Sequence, residues 1–248
     1  MGLLDILYPN EYRCVFCGKE DGGYGICDKC KAKLPYITGN TCKVCGVNLS
    51  SGDVCIECKS AGHKFEKCFC AMKYAGRPKH ALQKFKLAGF KYIGFALSGL
   101  LEEYFNSIDI PFDMIIPVPN HPNRLKERKF NHLDIMLDKI SKSYGRVYKD
   151  ILVRVKDTPH QTGLDREHRI SNLHSAFKVT DKAKVKHKII LLVDDIFTTG
   201  STLDECAKTL LKAGAYKVFA MCLCRSIIPS SRIFGNNEDR VNIEEMYI

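Results

Sequence analysis

The chain has 248 residues and a formal charge of +10, long enough for one domain with an appendage or for two small domains. It holds no run of about 18 apolar residues, so no membrane-spanning helix is expected. The first residues lack the basic and long apolar regions of a secretory signal, and a cytoplasmic protein without membrane insertion is the expectation. The charge is unevenly placed: residues 1–63 balance to zero, 64–225 carry +12 and 226–248 carry −2. A polyanionic partner, nucleotide phosphate or nucleic-acid backbone, suits the central region; a solvated lysine-rich face is the alternative.

Eight of the thirteen cysteines fall into four CxxC pairs: Cys14/Cys17, Cys27/Cys30, Cys42/Cys45 and Cys55/Cys58. Each cysteine of the first two pairs recurs 28 residues later, so the spacing C-x2-C-x9-C-x2-C is written twice. Gly18 and Gly46 follow the second cysteine of a pair, where glycine lets the backbone turn its N–H groups toward a thiolate. Two structural Zn(Cys)4 sites are expected, because zinc takes four soft ligands in a tetrahedron and such sites contribute to folding directly. Sequential and interleaved pairing use the same ligands and remain alternatives. The second pair of each unit is expected to open a short helix or turn. The module is assigned residues 1–63. Cys68 and Cys70, in the apolar run CFCAMKY, read as core thiols of a strand, as do Cys206, Cys222 and Cys224 in their own apolar contexts.

Residues 68–74 read as a strand and 77–107 as one or two helices, with Gly89, Gly94 and Gly99 as candidate breaks. Residues 64–91 hold eight Lys/Arg against one acid, Glu66, interleaved with Phe65, Phe69, Tyr74, Phe85, Phe90 and Tyr92. That composition suits single-stranded nucleic acid, but aromatics at these spacings read first as core. A second strand over 112–118 leads into a loop crowded by Arg124, Arg128 and Lys129, then a helix over 133–140. A third strand spans 150–155. The polar segment 156–174, carrying Lys156, Gln161, Arg166, His168 and Arg169, has no clear period and is long for a connection, which favours a functional loop. A short strand over 176–179 and a lysine-rich turn over 181–188 follow.

Residues 189–193, IILLV, read as a strand buried on both faces. Asp194 and Asp195 come next, then Thr198, Thr199, Gly200, Ser201 and Thr202, then a helical pattern through Leu203, Cys206, Ala207, Leu210 and Leu211. A last strand covers 217–223. Strands alternating with helices give an α/β domain, assigned to 64–225, with a mainly parallel sheet. Ligands of such sheets bind beyond the carboxyl ends of the strands. Two carboxylates at a strand end can bind a metal or accept hydrogen bonds from a ribose diol. The helix N-terminus behind them offers N–H groups to a phosphate, and a capped helix behind an acidic turn is the simpler alternative. Residues 226–248 form a polar, acidic tail.

LLVDDIFTTGST resembles the 5-phosphoribosyl-1-diphosphate (PRPP) motif of type I phosphoribosyltransferases. The resemblance implies a type I phosphoribosyltransferase-like parallel sheet flanked by helices, behind a small zinc-ribbon or knuckle module. By resemblance, Asp194 and Asp195 contact the ribose hydroxyls, and Thr198, Thr199, Gly200, Ser201 and Thr202 hold the 5-phosphate. Arg124, Arg128 and Lys129 resemble the diphosphate loop, and Lys156, Gln161 and Arg169 belong to what resembles the flexible catalytic loop. Magnesium would bridge diphosphate and ribose oxygens.

The CxxC module, FKLAG at 85–89, IPVP at 116–119, RLKERKFNH, the Gln161, Arg169 and Asn172 pattern and the PRPP motif together resemble the layout of the ComF family. The chain departs at RKFNH, where members often read RGFNQ, so Lys129 and His132 stand in place of the usual residues. The resemblance implies a competence protein of DNA uptake in natural transformation, binding PRPP and single-stranded DNA. Implied partners are a helicase-like ATPase and a DNA-processing protein. A working phosphoribosyltransferase of nucleotide metabolism, moving a ribosyl carbon from diphosphate to a nitrogen nucleophile, is the alternative, and no acceptor pocket is legible. A PRPP sensor without turnover is a third.

Overall fold

A computed structural model describes residues 13–19, 25–157 and 175–226, with the side chains of residues 127 and 128 set aside. In chain order its elements are α1 (Asp28–Lys31), α2 (Ile56–Ala61), β1 (Cys68–Lys73), α3 (Gly76–Ala88), α4 (Lys91–Asn106), β2 (Met114–Pro117), α5 (Pro122–Arg128), α6 (His132–Met136), α7 (Asp138–Tyr144), β3 (Leu152–Arg154), β4 (Phe177–Val179), α8 (Lys182–Val185), β5 (Ile189–Phe197), α9 (Ser201–Lys212) and β6 (Lys217–Arg225).

The sheet runs β1-β6-β5-β2 with every neighbour parallel. Its central strands are apolar because both faces are covered: Ile190, Leu191, Leu192 and Val193 are fully buried. β5 does not stop at Val193, where its apolar run ends. β6 stays apolar through Cys224, so its backbone keeps pairing with Asp194, Ile196 and Phe197. The two carboxylates therefore sit within a hydrogen-bonded strand, and the turn begins only at Thr198.

α3 and α4 confirm the expected helical stretch, and Gly89 divides it. At φ +73° Gly89 takes the left-handed conformation that ends a helix at little cost for glycine. The helix expected over 133–140 is instead two short ones broken at Leu137, with Leu133, Met136, Leu137 and Ile140 all buried. The basic loop before it is also helical: His121 caps α5 and Pro122 opens it. α5 ends on Lys129 at φ +60°, where a non-glycine residue costs about 1–2 kcal/mol. The lysine-rich turn holds a further short helix, α8, because Asp181 accepts from the N–H groups of Ala183 and Lys184 while Val185 is buried. β3 and β4 pair with each other, antiparallel, outside the main sheet.

The cysteine module covers the free edge of β1. Cys68 N–H donates to Val44 O, Ile37 N–H to Ala71 O and Lys73 N–H to Pro35 O. An edge strand that would otherwise offer unpaired N–H and C=O groups is closed by the module. Of the aromatics read as core or nucleic-acid surface, Phe65 and Phe85 are buried, whereas Phe90 and Tyr92 are exposed.

Candidate functional site

The cysteines gather as two sequential tetrads, Cys14, Cys17, Cys27 and Cys30, and Cys42, Cys45, Cys55 and Cys58, with all sulfurs of a tetrad within 4.8 Å of one another. The interleaved arrangement is thereby excluded. The pairs Cys17–Cys27 and Cys45–Cys55 lie 3.8 Å apart, close to the roughly 3.8 Å edge of a zinc–thiolate tetrahedron with 2.3 Å bonds. Gly18 and Gly46 take φ +70° and +69°, and their N–H groups donate to Cys14 O and Cys42 O. α1 and α2 begin right after Cys27 and Cys55, which serve as their N-caps. Backbone N–H groups of Cys55 and Cys58 point at Cys42 Sγ and Cys55 Sγ. The donor set, spacing and surrounding hydrogen bonds fit structural zinc in both tetrads. Cys68, Cys70 and Cys222 also bring three buried sulfurs together, and Cys206 and Cys224 are buried as expected.

The second constellation lies at the carboxyl end of β5. Asp195 is 4% exposed. Lys86 Nζ, from α3, forms an ion pair with its Oδ2, and His132 Nε2, from α6, lies 2.8 Å from the same oxygen. Asn120 Nδ2 sits 3.4 Å from His132 Nδ1 and donates to Asn131 Oδ1. Burial alone would raise the Asp195 carboxyl, but the Lys86 and His132 charges hold it well below the usual carboxylate range. Asp194 behaves oppositely. Desolvation and the neighbouring Asp195 carboxylate push it up to about 7. Its Oδ1 accepts from Asp195 N–H at 2.9 Å. Two adjacent carboxyls thus differ in proton affinity: one fixed as an anion, the other able to gain or lose a proton near neutrality.

The turn after β5 places Thr198, Thr199 and Thr202 half-buried and Ser201 buried. Gly200 precedes α9 at φ +82°. A Cβ there would come within 2.8 Å of His63 Cε1 and of Phe197 Cζ, so glycine is required by both conformation and space. Thr199 Oγ1 lies 2.8 Å from Ser201 Oγ and accepts from Ser201 N–H at 3.4 Å. The turn is preorganised by its own hydroxyls at a helix N-terminus, the setting in which N–H groups and the helix dipole favour an anion.

Arg124 lies on α5 and is half-buried. Burial and the Arg124 guanidinium lower the proton affinity of Arg154, at the end of β3, which also feels the Asp194 charge. Arg154 therefore lies within electrostatic reach of both Arg124 and Asp194. Lys129 is exposed at the end of α5, and Lys156 is exposed just beyond β3. Asp157, next in the chain, is held by Asn123 Nδ2 and by His121 Nδ1 at 3.3 Å. Gln161 and Arg169 lie outside the described residues, as does the side chain of Arg128. Lys86, Arg154 and the structural role of His132 were not read as site features. FKLAG and RKFNH drew attention to two of them, but no local pattern says that their side chains meet Asp195.

Residues 91–239 match the phosphoribosyl transferase domain family, and residues 3–59 the double zinc ribbon domain. The chain belongs to the phosphoribosyl transferase domain family, with a double zinc ribbon preceding that domain. Among curated proteins it is 28% identical over 230 residues to Competence protein F of Haemophilus influenzae, covering 87% of this chain and 98% of that protein. It is 29% identical to DNA utilization protein YhgH of Escherichia coli, covering 83% and 92%. Competence protein ComFC of Bacillus subtilis is 27% identical, with 87% and 89% covered. The ComF resemblance carried by the motifs is borne out by these relatives. Among the described residues no helix is long and apolar enough to cross a membrane.

Proposed function

We propose that residues 194–202 bind the phosphoribosyl group of PRPP with magnesium, and that the chain serves competence-linked DNA uptake by handling single-stranded DNA in the cytoplasm. The observation that carries this reading is the asymmetric carboxylate pair. Asp195 is anchored by Lys86 and His132, leaving Asp194 beside it to meet a diol or a hydrated cation, with an anion-binding turn directly behind. The Arg124 and Arg154 flank suits a diphosphate. A helicase-like ATPase and a DNA-processing protein are the partners that competence function would bring.

For DNA, the support is a surface at the α3–α4 junction. Leu87 is 82% exposed, Phe90 44%, Tyr92 37% and Phe95 51%. Lys84 and Lys91 are exposed beside them. Exposed rings among lysines give sequence-tolerant stacking with phosphate neutralisation. Binding of labelled single-stranded oligonucleotide should weaken steeply with salt and should weaken further in Phe90→Ala/Tyr92→Ala.

Calorimetric titration with PRPP and magnesium tests the ligand site. Binding to the wild type that is lost in Asp194→Ala supports it, and absence of heat with correctly folded, zinc-replete protein would remove it. A second reading, an active phosphoribosyltransferase, draws on the proton affinity of Asp194 near neutrality and on the basic flank available to a diphosphate leaving group. Release of diphosphate from PRPP across a panel of bases and amines discriminates the two.

A further inference from the structure

The second cysteine tetrad is physically continuous with the turn at residues 198–202, and the link is Arg225. This residue ends β6 and is 3% exposed. Its Nη2 lies 3.6 Å from Cys45 Sγ and 3.6 Å from Glu57 Oε2. Its Nη1 donates to the carbonyl of Thr198 at 2.9 Å and to Ser226 O at 2.6 Å. The guanidinium carbon Cζ lies 4.4 Å from the Phe197 ring centroid. One rigid fork therefore spans a metal-ligand sulfur and the backbone of the first residue of the turn. Lysine, a single point donor, has no equivalent geometry.

A second bridge runs in parallel. His63 lies five residues past Cys58, and its Nδ1 is 2.6 Å from Asp204 Oδ2 in the first turn of α9. Lys64 N–H donates to the other oxygen, Asp204 Oδ1, at 2.8 Å. The His63 ring stacks on Phe65 at 4.7 Å and closes over Gly200. The chain leaving the metal knuckle is thus fastened to the helix whose N-terminus forms the turn. Groups around a metal's ligands fix the ligands' positions, and the ligands fix theirs in return. When four thiolates are gathered on a divalent ion, the site carries net negative charge, for which Arg225 is the buried counter-ion.

We propose that zinc in the second tetrad sets the conformation of the turn at residues 198–202 through Arg225, so that metal occupancy and occupancy of the turn are coupled. For PRPP as the occupant, the coupling rests on the ligand reading given above. Coupling between two binding sites is reciprocal, so a ligand on the turn must also hold the metal more tightly. Among the described residues the first tetrad makes no hydrogen bond to this turn. Its sulfur Cys30 Sγ accepts instead from Arg77 Nη1 at 3.2 Å, at the start of α3.

The test uses the full zinc-replete chain and its Arg225→Gln, Cys58→Ser and Cys30→Ser variants. Hydrogen exchange of the amides of residues 197–204 should quicken by about tenfold in Cys58→Ser and Arg225→Gln, with no change in Cys30→Ser. Zinc release to a chromogenic chelator should be biphasic, and PRPP with magnesium should slow one phase by about tenfold in the wild type and not in Arg225→Gln. Arg225→Gln keeps all eight cysteines, so it decides the matter if Cys58→Ser does not fold. Unchanged exchange in Arg225→Gln overturns the proposal, as does bound PRPP that leaves zinc release unaltered. Faster exchange in that variant with no PRPP binding to the wild type upholds the coupling and removes only the ligand reading.

Discussion

The two zinc ribbons share one ligand spacing and differ in almost everything around it. In the first, Cys14, Cys27 and Cys30 form a small cluster of their own with Phe16 and Ile26, and Cys17 is exposed. It leans on the rest of the chain through Arg77 and through a 2.6 Å ion pair between Lys31 and Glu103. In the second, Cys42 and Cys45 are fully buried and belong to the main core. Its backbone donates to or accepts from β1, and its sulfur shares Arg225 with the turn that follows β5. Equal ligands therefore do unequal structural duty. One tetrad anchors a small local cluster, and the other belongs to the module that closes the edge of the sheet and is linked through Arg225 to the turn of the candidate site.

The largest effect that can break this comparison is removal of a ligand from each ribbon. Cys45→Ser should lower global stability in urea by about 4 kcal/mol or more, and Cys17→Ser by only about 1 kcal/mol, each with loss of one zinc. Equal losses would mean that the ribbons are energetically alike. A smaller effect separates two glycines of similar backbone conformation. Gly200→Ala meets His63 and Phe197, whereas a Cβ on Gly18 meets nothing within 4 Å. Thermal unfolding should report about 2–3 kcal/mol for the first and about 1 kcal/mol for the second.

The smallest effect is the pH dependence of the site beside the second ribbon. The Asp194 carboxyl stands at about 7 when folded, above its unfolded value. Its contribution is therefore fully present below about pH 4 and is lost as pH rises through 7. Asp194→Asn removes that dependence, so relative to wild type it should gain about 1–2 kcal/mol between pH 6 and pH 8.5. Chemical denaturation at the two pH values checks it, and a wild-type difference unchanged by the substitution would break the assignment.

Much of this was legible before any coordinates. The repeat named all eight thiol ligands because metal spacing is local. The apolar run at 189–193 and the hydroxylated turn after it marked β5 and the start of α9 for the same reason. The length of β5 was not legible, since its last residues are held by pairing with β6 and not by their own apolar character. Nor was the fate of the aromatics: Phe85 and Phe90 stand five residues apart in one basic stretch, yet one is fully buried and the other exposed. Gly89 turns the chain between them.

The sequence by itself determined the ligand set of both ribbons, the α/β alternation and the acidic pair ahead of a phosphate-type turn, because each depends on neighbours within a few residues. The tertiary structure alone decided which tetrad is sequestered in the core, and that Lys86 and His132 fix Asp195. It also decided that Arg225 joins Cys45 to Thr198. Those contacts link residues 27 to 180 positions apart, and only the parallel crossovers and the docking of the second ribbon on β1 bring them within hydrogen-bond reach.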